Sequence, residues 1–482
     1  MSTTMRVKEE NNPAHERRHG RSAARGALEL GEEQVHQKLA QQSAMMNDQK
    51  SMEEVPSSFV SRTLIPFFLM LLTPNIVVCG IYFVVVYGSS TAEVSKIGLL
   101  TFWYDSWTAR GLGTYETWLF LLLFSAYSGL SLVILPGKVY YGPPTSSGHR
   151  PLYRRTGVLY YMLTMGITAY LLLYQDVRCW SIYRSLPDAA VAMTLLGLVV
   201  SSLLFIKGHL SPSPGESGSS GNIIFDFYWG MELYPRLGKH LDVKQWTNCR
   251  FGMMLWQLMV LISWKAQVED SGWNWSMAAT AILQTVYIAK FYWWEDGYMT
   301  SIDIIVDRAG YYICWGCICF LGLLYGLTSL YMVENSPESS AAFGVGDIAF
   351  GLVMIGCNYW CDYQRQVVRA SNGKCHIWGS PARVIKASYR DLYGRQKTNL
   401  LLASGFWSLS RHMNYIFEIL CAVSWAVPAG ASSIVPYLYL LYLTGLLVHR
   451  SYRDERKCSM KYNQFWTQYK SLVKYQLIPY VL

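Results

Sequence analysis

Long uncharged apolar runs alternate along this chain with short polar connectors. The runs carry no polar residues at helical spacing, so they lack the polar face a soluble helix needs. In a bilayer, backbone amides must be satisfied internally, and each run then becomes a helix of about 20 residues. The pattern predicts helices over 64–86, 118–135, 158–174, 189–206, 253–264, 275–291, 309–331 and 343–360. The stretch 417–448 holds Pro428, Gly430 and Pro436 and is expected to break into two helices. The fold class is therefore an all-α polytopic membrane protein with roughly nine or ten crossings.

The polar segments set the expected organisation. Residues 1–58 are polar, mixed in charge and poor in aromatics, which predicts a disordered cytosolic extension without a signal peptide. Transmembrane helices follow over 59–210, then a flexible Gly/Ser/Pro-rich loop over 211–222 and a C-terminal transmembrane region over 223–482. Composition agrees: 52% of residues are hydrophobic and 15% charged, against about 25% charged in soluble domains. After the final run comes a basic tail, Arg450, Arg453, Arg456, Lys457, Lys461, Lys470 and Lys474 against Asp454 and Glu455, which the positive-inside bias puts in the cytosol. Topology thus accounts for the net charge of +9, and no nucleic-acid partner is implied. Cys314, Cys317 and Cys319 lie close together but among apolar residues and without a second ligand pair, so they read as small hydrophobes and no metal site is expected.

Ionisable groups at membrane depth are costly and mark candidate sites. One cluster is Phe291-Tyr-Trp-Trp-Glu-Asp-Gly-Tyr298, followed by Asp303, Asp307 and Arg308. The other is Phe225-Asp-Phe-Tyr-Trp-Gly-Met-Glu232, followed by Arg236. Desolvation beside aromatics keeps a carboxyl protonated as an acid. The same residues also fit an aromatic belt whose carboxylates pair with Arg308 and Arg236. A third region offers Arg365 and Arg369 on one helical face, then Trp407, Arg411, His412, Asn414 and Tyr415. Paired guanidinium groups and a stacking surface suit a polyanionic aromatic ligand such as a dinucleotide. Binding of anionic membrane lipid accounts for the arginines equally well. No Gly-x-Gly-x-x-Gly follows a strand, which excludes a Rossmann domain.

Ser404-Gly-Phe-Trp-Ser-Leu-Ser-Arg-His-Met-Asn-Tyr415 and His449-Arg-Ser-Tyr-Arg-Asp-Glu-Arg-Lys-Cys-Ser-Met-Lys-Tyr462 resemble the signatures of the sterol reductase family. Asn372-Gly-Lys-Cys-His-Ile-Trp-Gly379 is similar to that family's cytosolic connector. Tyr292-Trp-Trp-Glu-Asp-Gly-Tyr298, the run from Asp307 to Cys317, and Asp362-Tyr-Gln-Arg-Gln366 look most like its Δ7 branch. The likeness runs from about residue 59 to the C-terminus. It implies ten helices in the endoplasmic reticulum membrane, a sterol substrate drawn from the bilayer, and NADPH at the cytosolic end. It also implies contact with membrane lipid and association with other sterol-biosynthesis enzymes. The cofactor residues implied are Arg365, Arg369, Leu402, Trp407, Asn414, Tyr415, Asp454, Cys458, Ser459, Met460, Lys461, Tyr462 and Tyr469. Asn463 stands where the family usually has glycine, and Ser408 and Ser410 replace its Gly and Ala.

Reducing a carbon–carbon double bond that no carbonyl activates needs a strong, desolvated acid and a hydride. Glu295 is the expected acid, with Asp303 and Asp307 as supporting or alternative acids and His412 as a proton relay. Trp293, Trp294 and Tyr298 are expected to line the sterol and face developing positive charge. The Δ14 branch, a non-catalytic sterol-binding protein of the same fold and a transporter are the alternatives. The broken stretch 417–448 suits a transporter, but no inverted repeat is found.

Overall fold

The computed structural model describes residues 58–481 except 110, 146–148, 214–216 and 391–395. The expected extension over 1–58 lies outside the described residues but for Ser58, as do residues 214–216 of the expected loop over 211–222. The chain divides into residues 56–389 with 398–482, which carry everything below, and residues 1–55 with 390–397.

Every predicted run is helical. The long helices are α1 (Val60–Tyr87), α2 (Tyr115–Ile134), α3 (Gly157–Tyr174) and α4 (Leu186–Leu210). They continue with α5 (Met253–Ser271), α6 (Trp275–Trp293), α7 (Tyr311–Asn335) and α8 (Ala341–Ala370). The stretch with Pro428 and Pro436 does break, giving α9 (Met413–Ala429) and α10 (Leu438–Tyr462), and α11 (Gln464–Leu472) closes the series. Six of these, α1–α4, α7 and α8, are long and apolar enough to cross a membrane, which makes this a multi-pass membrane protein. Strand among the described residues is limited to two-stranded ladders, and helix dominates.

α7 is the central helix: 78% of its most apolar window is buried, against 22–44% in the other five. It packs on α4 and α5, while α8 lies at the periphery against α6 and α9. Just ahead of α7, the backbone at Gly310 crosses that at Gly230 so closely that a Cβ on Gly230 would lie 2.5 Å from the Gly310 nitrogen. Glycine at both positions permits this crossing. It fixes the loop 299–310, which carries Asp303 and Asp307, against the segment after the short helix Ile223–Trp229.

Asn463 joins α10 to α11 with φ +44° and ψ −115°. An L side chain is strained there, and glycine would adopt that backbone without penalty. Asn463→Gly is expected to stabilise the protein by about 1 kcal/mol, seen as a higher unfolding midpoint in detergent.

Candidate functional site

Three groups of side chains gather where α3 starts and where α6, α8 and α10 run out. The first is built on Glu295, in a short helix (Glu295–Tyr298) directly after α6. Its carboxylate is buried and accepts from both terminal nitrogens of Arg250, one at 2.9 Å. Gln245 donates to the same carboxylate at 3.1 Å, and Arg250 also donates to the Thr156 hydroxyl at 3.0 Å. Gln245 and Arg250 reach it because the segment before α5, Gln245–Gly252, winds as a π-helix. A Cβ on Gly157 would overlap the Glu295 carboxylate, so the first residue of α3 has to be glycine. Glu295 was expected to be the acid; here both its oxygens are engaged by a fully buried guanidinium. Next to it, Asp296 pairs with Arg155 at 2.6 Å.

The second group is the acidic loop. Lys244, wholly buried, donates its ammonium to the backbone carbonyls of Asp303 (3.1 Å), Ile304 (2.6 Å) and Asp307 (2.8 Å). One side chain thereby holds both carboxylates in place. Burial pushes the Lys244 ammonium down to about 8, with Asp242 and Asp307 opposing. Asp303 pairs with Arg450 on α10. Asp307 has no exposed surface; one oxygen lies 3.3 Å from Arg453 on the same helix. The other is buried without a hydrogen-bond partner among the described residues. Burial, and then the nearby Asp303, raises the Asp307 carboxyl to about 6, with Arg453 and Arg450 pulling the other way.

The third group surrounds the start of α9. The Arg365 guanidinium lies over the Trp407 ring at 4.7 Å, and Arg369 follows one turn along α8. Trp407 is fixed by its indole N–H on the Cys361 carbonyl at 2.8 Å. Asp362 lies 3.4 Å from both Arg365 and Asn414. Tyr415 donates to Asp454 at 3.2 Å and stacks on His412, whose Nε2 is 3.8 Å from that carboxylate. Tyr469 donates to the Leu402 carbonyl at 2.9 Å, and Asn399 donates to the Tyr462 hydroxyl at 2.8 Å. Lys461 lies over the rings of Tyr389 and Tyr462. Below this group, Asn358 donates to the Asn414 carbonyl and to Glu418 while accepting from Lys290, which ties α9 to α8 and α6.

On α10, Arg450, Asp454 and Cys458 follow one another at i, i+4, with Tyr462 continuing the same stripe. Ser459 and Met460 are turned off it and exposed, so the structure does not bring them to this group. Of the three aromatics expected at the sterol, Trp293 is 69% exposed and faces outward. Trp294 packs on Tyr359, and only Tyr298 lies by the acidic loop, near Asp303 and Arg450. The Phe225–Glu232 cluster is consumed structurally: Asp226 accepts from Ser219 and Ser220, and Glu232 pairs with Lys207.

Sequence reasoning missed Arg250 and Lys244, and the pairing of Arg450 and Arg453 with the acidic loop. Arg250 stands immediately ahead of the apolar run of α5, so the cost of burying a charge, applied to cations as well as carboxylates, would have flagged it. Arg450 and Arg453 were counted as topology charges and within the His449–Tyr462 signature, but not as partners of the acidic loop.

The description "Ergosterol biosynthesis ERG4/ERG24 family" matches residues 72–482. The chain is similar to 7-dehydrocholesterol reductase of Arabidopsis thaliana, 41% identical over 367 residues, 76% of this chain and 85% of that protein. It is similar to 7-dehydrocholesterol reductase of Danio rerio, 37% identical over 287 residues, 59% of this chain and 60% of that one. Delta(14)-sterol reductase of Methylotuvimicrobium alcaliphilum is 28% identical over 375 residues, 78% of this chain and 83% of that protein.

Removing one member of a buried ion pair strands the other charge. Glu295→Gln is therefore expected to cost about 3–5 kcal/mol, read as a lower unfolding midpoint. The double variant Arg250→Met with Glu295→Met should recover most of that loss. Losses that simply add would show that the two are not coupled.

Proposed function

Since the chain belongs to the ergosterol biosynthesis ERG4/ERG24 family, we propose that it is an NADPH-dependent sterol reductase that saturates the C7–C8 double bond. Its setting in this reading is the endoplasmic reticulum membrane, with substrate entering from the bilayer. The higher identity to 7-dehydrocholesterol reductases than to a Delta(14)-sterol reductase supports the choice of bond.

The donor set around α9 fits NADPH. Arg365 and Arg369 supply a pair of guanidinium groups for phosphate, and Trp407 supplies a ring already covered by one of them. The Asn414 side-chain oxygen is buried with no partner among the described residues and suits an amide donor. Tyr415, Asp454, Cys458 and Tyr462 complete the wall, with Leu402 and Tyr469 behind it. When bound, NADPH supplies the hydride.

What the chain must add is a proton, and the single observation that carries the reading is the free oxygen of Asp307. That oxygen is buried and unbonded, on a carboxyl raised toward neutrality. A protonated Asp307 donates to one alkene carbon, and Arg453 stabilises the carboxylate left behind. Asp303 holds Arg450 in place. His412 donates from Nδ1 to the Gln476 carbonyl at 2.9 Å, which leaves Nε2 toward Asp454 as a proton relay from the aqueous side. Glu295 becomes an anchor for the site, and Tyr298 the aromatic face next to the acid.

Sterol profiling of microsomes carrying this chain, supplied with NADPH and 7-dehydrocholesterol, tests the function: conversion to cholesterol is expected. Activity on a Δ14 sterol alone would overturn the choice of bond. Asp307→Asn is expected to lower kcat by about a hundredfold or more while leaving NADPH binding unchanged. The acid works only when protonated, so wild-type turnover should fall as pH rises through about 6, and Asp307→Asn should lose that limb. A variant with near-normal turnover would remove Asp307 from the mechanism.

A further inference from the structure

Between α2 and α3 the chain makes a hairpin, Val139–Tyr141 paired with Leu152–Arg154. It leaves α2 five residues after Ile134 and enters α3 three residues before Gly157. Because α2 and α3 are both long and apolar enough to cross a membrane, the hairpin that joins them is expected at the level of the lipid headgroups. A second hairpin, Arg236–Leu237 paired with Leu241–Asp242, is fastened to it. Arg236 donates to the Leu152 carbonyl at 2.8 Å, and Arg154 meets His240 at 3.3 Å while also donating to Val133 at the end of α2.

The joined hairpins are strongly cationic. Arg155 and Arg236 have acidic partners, Asp296 and Asp242. Lys138, Arg150 and Lys239 are exposed, and no acid pairs with them among the described residues. The field of the patch is visible at His240, whose imidazole is held below its usual range by burial and then by Arg154, Lys239 and Arg236. Arg150 is pre-positioned: it donates to the Gly142 carbonyl at 3.2 Å and lies over the Tyr141 ring at 5.7 Å. Guanidinium forks held against aromatic rings at headgroup depth match phosphate oxygens in geometry and charge.

The geometry points to Lys138, Arg150 and Lys239 on this pair of hairpins as a binding surface for the phosphate headgroups of anionic phospholipid, next to the reductase site but made of other residues. A bare topology signal needs an excess of cations near the span ends but no fixed arrangement of them.

The test uses the full-length protein in detergent, titrated with fluorescent short-chain phosphatidylserine, with phosphatidylcholine and inorganic phosphate as competitors. Phosphatidylserine is expected to bind and to resist displacement by equal concentrations of either competitor. The triple variant Lys138→Ala, Arg150→Ala, Lys239→Ala is expected to weaken binding by about tenfold or more, with turnover unchanged. Wild-type binding should also weaken as salt is raised, which needs no variant. Three results would each overturn the assignment: undiminished affinity in a folded triple variant, salt-insensitive binding, or equal competition by phosphatidylcholine. Displacement by inorganic phosphate would make the patch a free-anion site and remove the lipid from it.

Discussion

A buried guanidinium and a buried carboxylate persist only as a pair, and the bond between Arg250 and Glu295 is the constraint on which the polar end of this protein depends. It joins the start of α3, the π-helical segment before α5 and the exit of α6. Tyr160 donates to the Arg250 carbonyl at 2.8 Å and Tyr292 to the Cys249 carbonyl at 2.7 Å, which secures the backbone beneath the pair. With Glu295 fixed, Asp296 turns to Arg155, and the chain is directed into the loop that Lys244 grips by three carbonyls. Without the pair, the direction in which α6 releases the chain would be undetermined, and so would the position of the two aspartates.

The acidic loop and α10 are far apart in sequence and meet through charge. Asp303 with Arg450 and Asp307 with Arg453 join the residues next to the central helix α7 to the helix bearing Asp454 and Cys458. The proposed sterol side and cofactor side therefore share one helix, α10. Hydride and proton must reach adjacent carbons of one molecule, and a common rigid element is the simplest way to hold their sources in register. The Asn358 network adds a second tie, fixing the first turn of α9 against α6 and α8.

Much of the fold was legible because the bilayer leaves few choices: an uncharged run of the right length must be helical, and Pro428 with Pro436 must interrupt one. The runs therefore appear in the structure nearly as read, lengthened at their ends; α5 extends to Ser271 where the apolar pattern stopped at 264. The π-helical winding at Gln245–Gly252 was not legible, since periodicity cannot distinguish it from an α-turn, and Arg250 was lost with it. At the site, residue type found the carboxylates but could not rank them. Glu295, Asp303 and Asp307 all sit near aromatics, and their difference lies in partners supplied by residues more than 40 positions away. Ser459 and Met460 were read as part of a contiguous motif, whereas a helix turns successive residues by about 100° and offers only some of them to a ligand.

Partner geometry separates Glu295 from Asp307, the proposed acid. Glu295 has its oxygens occupied by Arg250 and Gln245, so transferring a proton there would mean breaking a buried ion pair first. Asp307 is as deeply buried but has one contact at 3.3 Å on one oxygen and none on the other. Burial, with the nearby Asp303, raises the energy of its charged form, and Arg453 and Arg450 offset only part of that. The carboxyl is thus poised between protonated and ionised, with an oxygen open to a neighbour. Moving Arg453 closer would hold it ionised; removing Arg453 would leave it protonated but slow to release its proton. The long, one-sided contact between Arg453 and Asp307 is the compromise that suits Asp307 to the proposed role of proton donor.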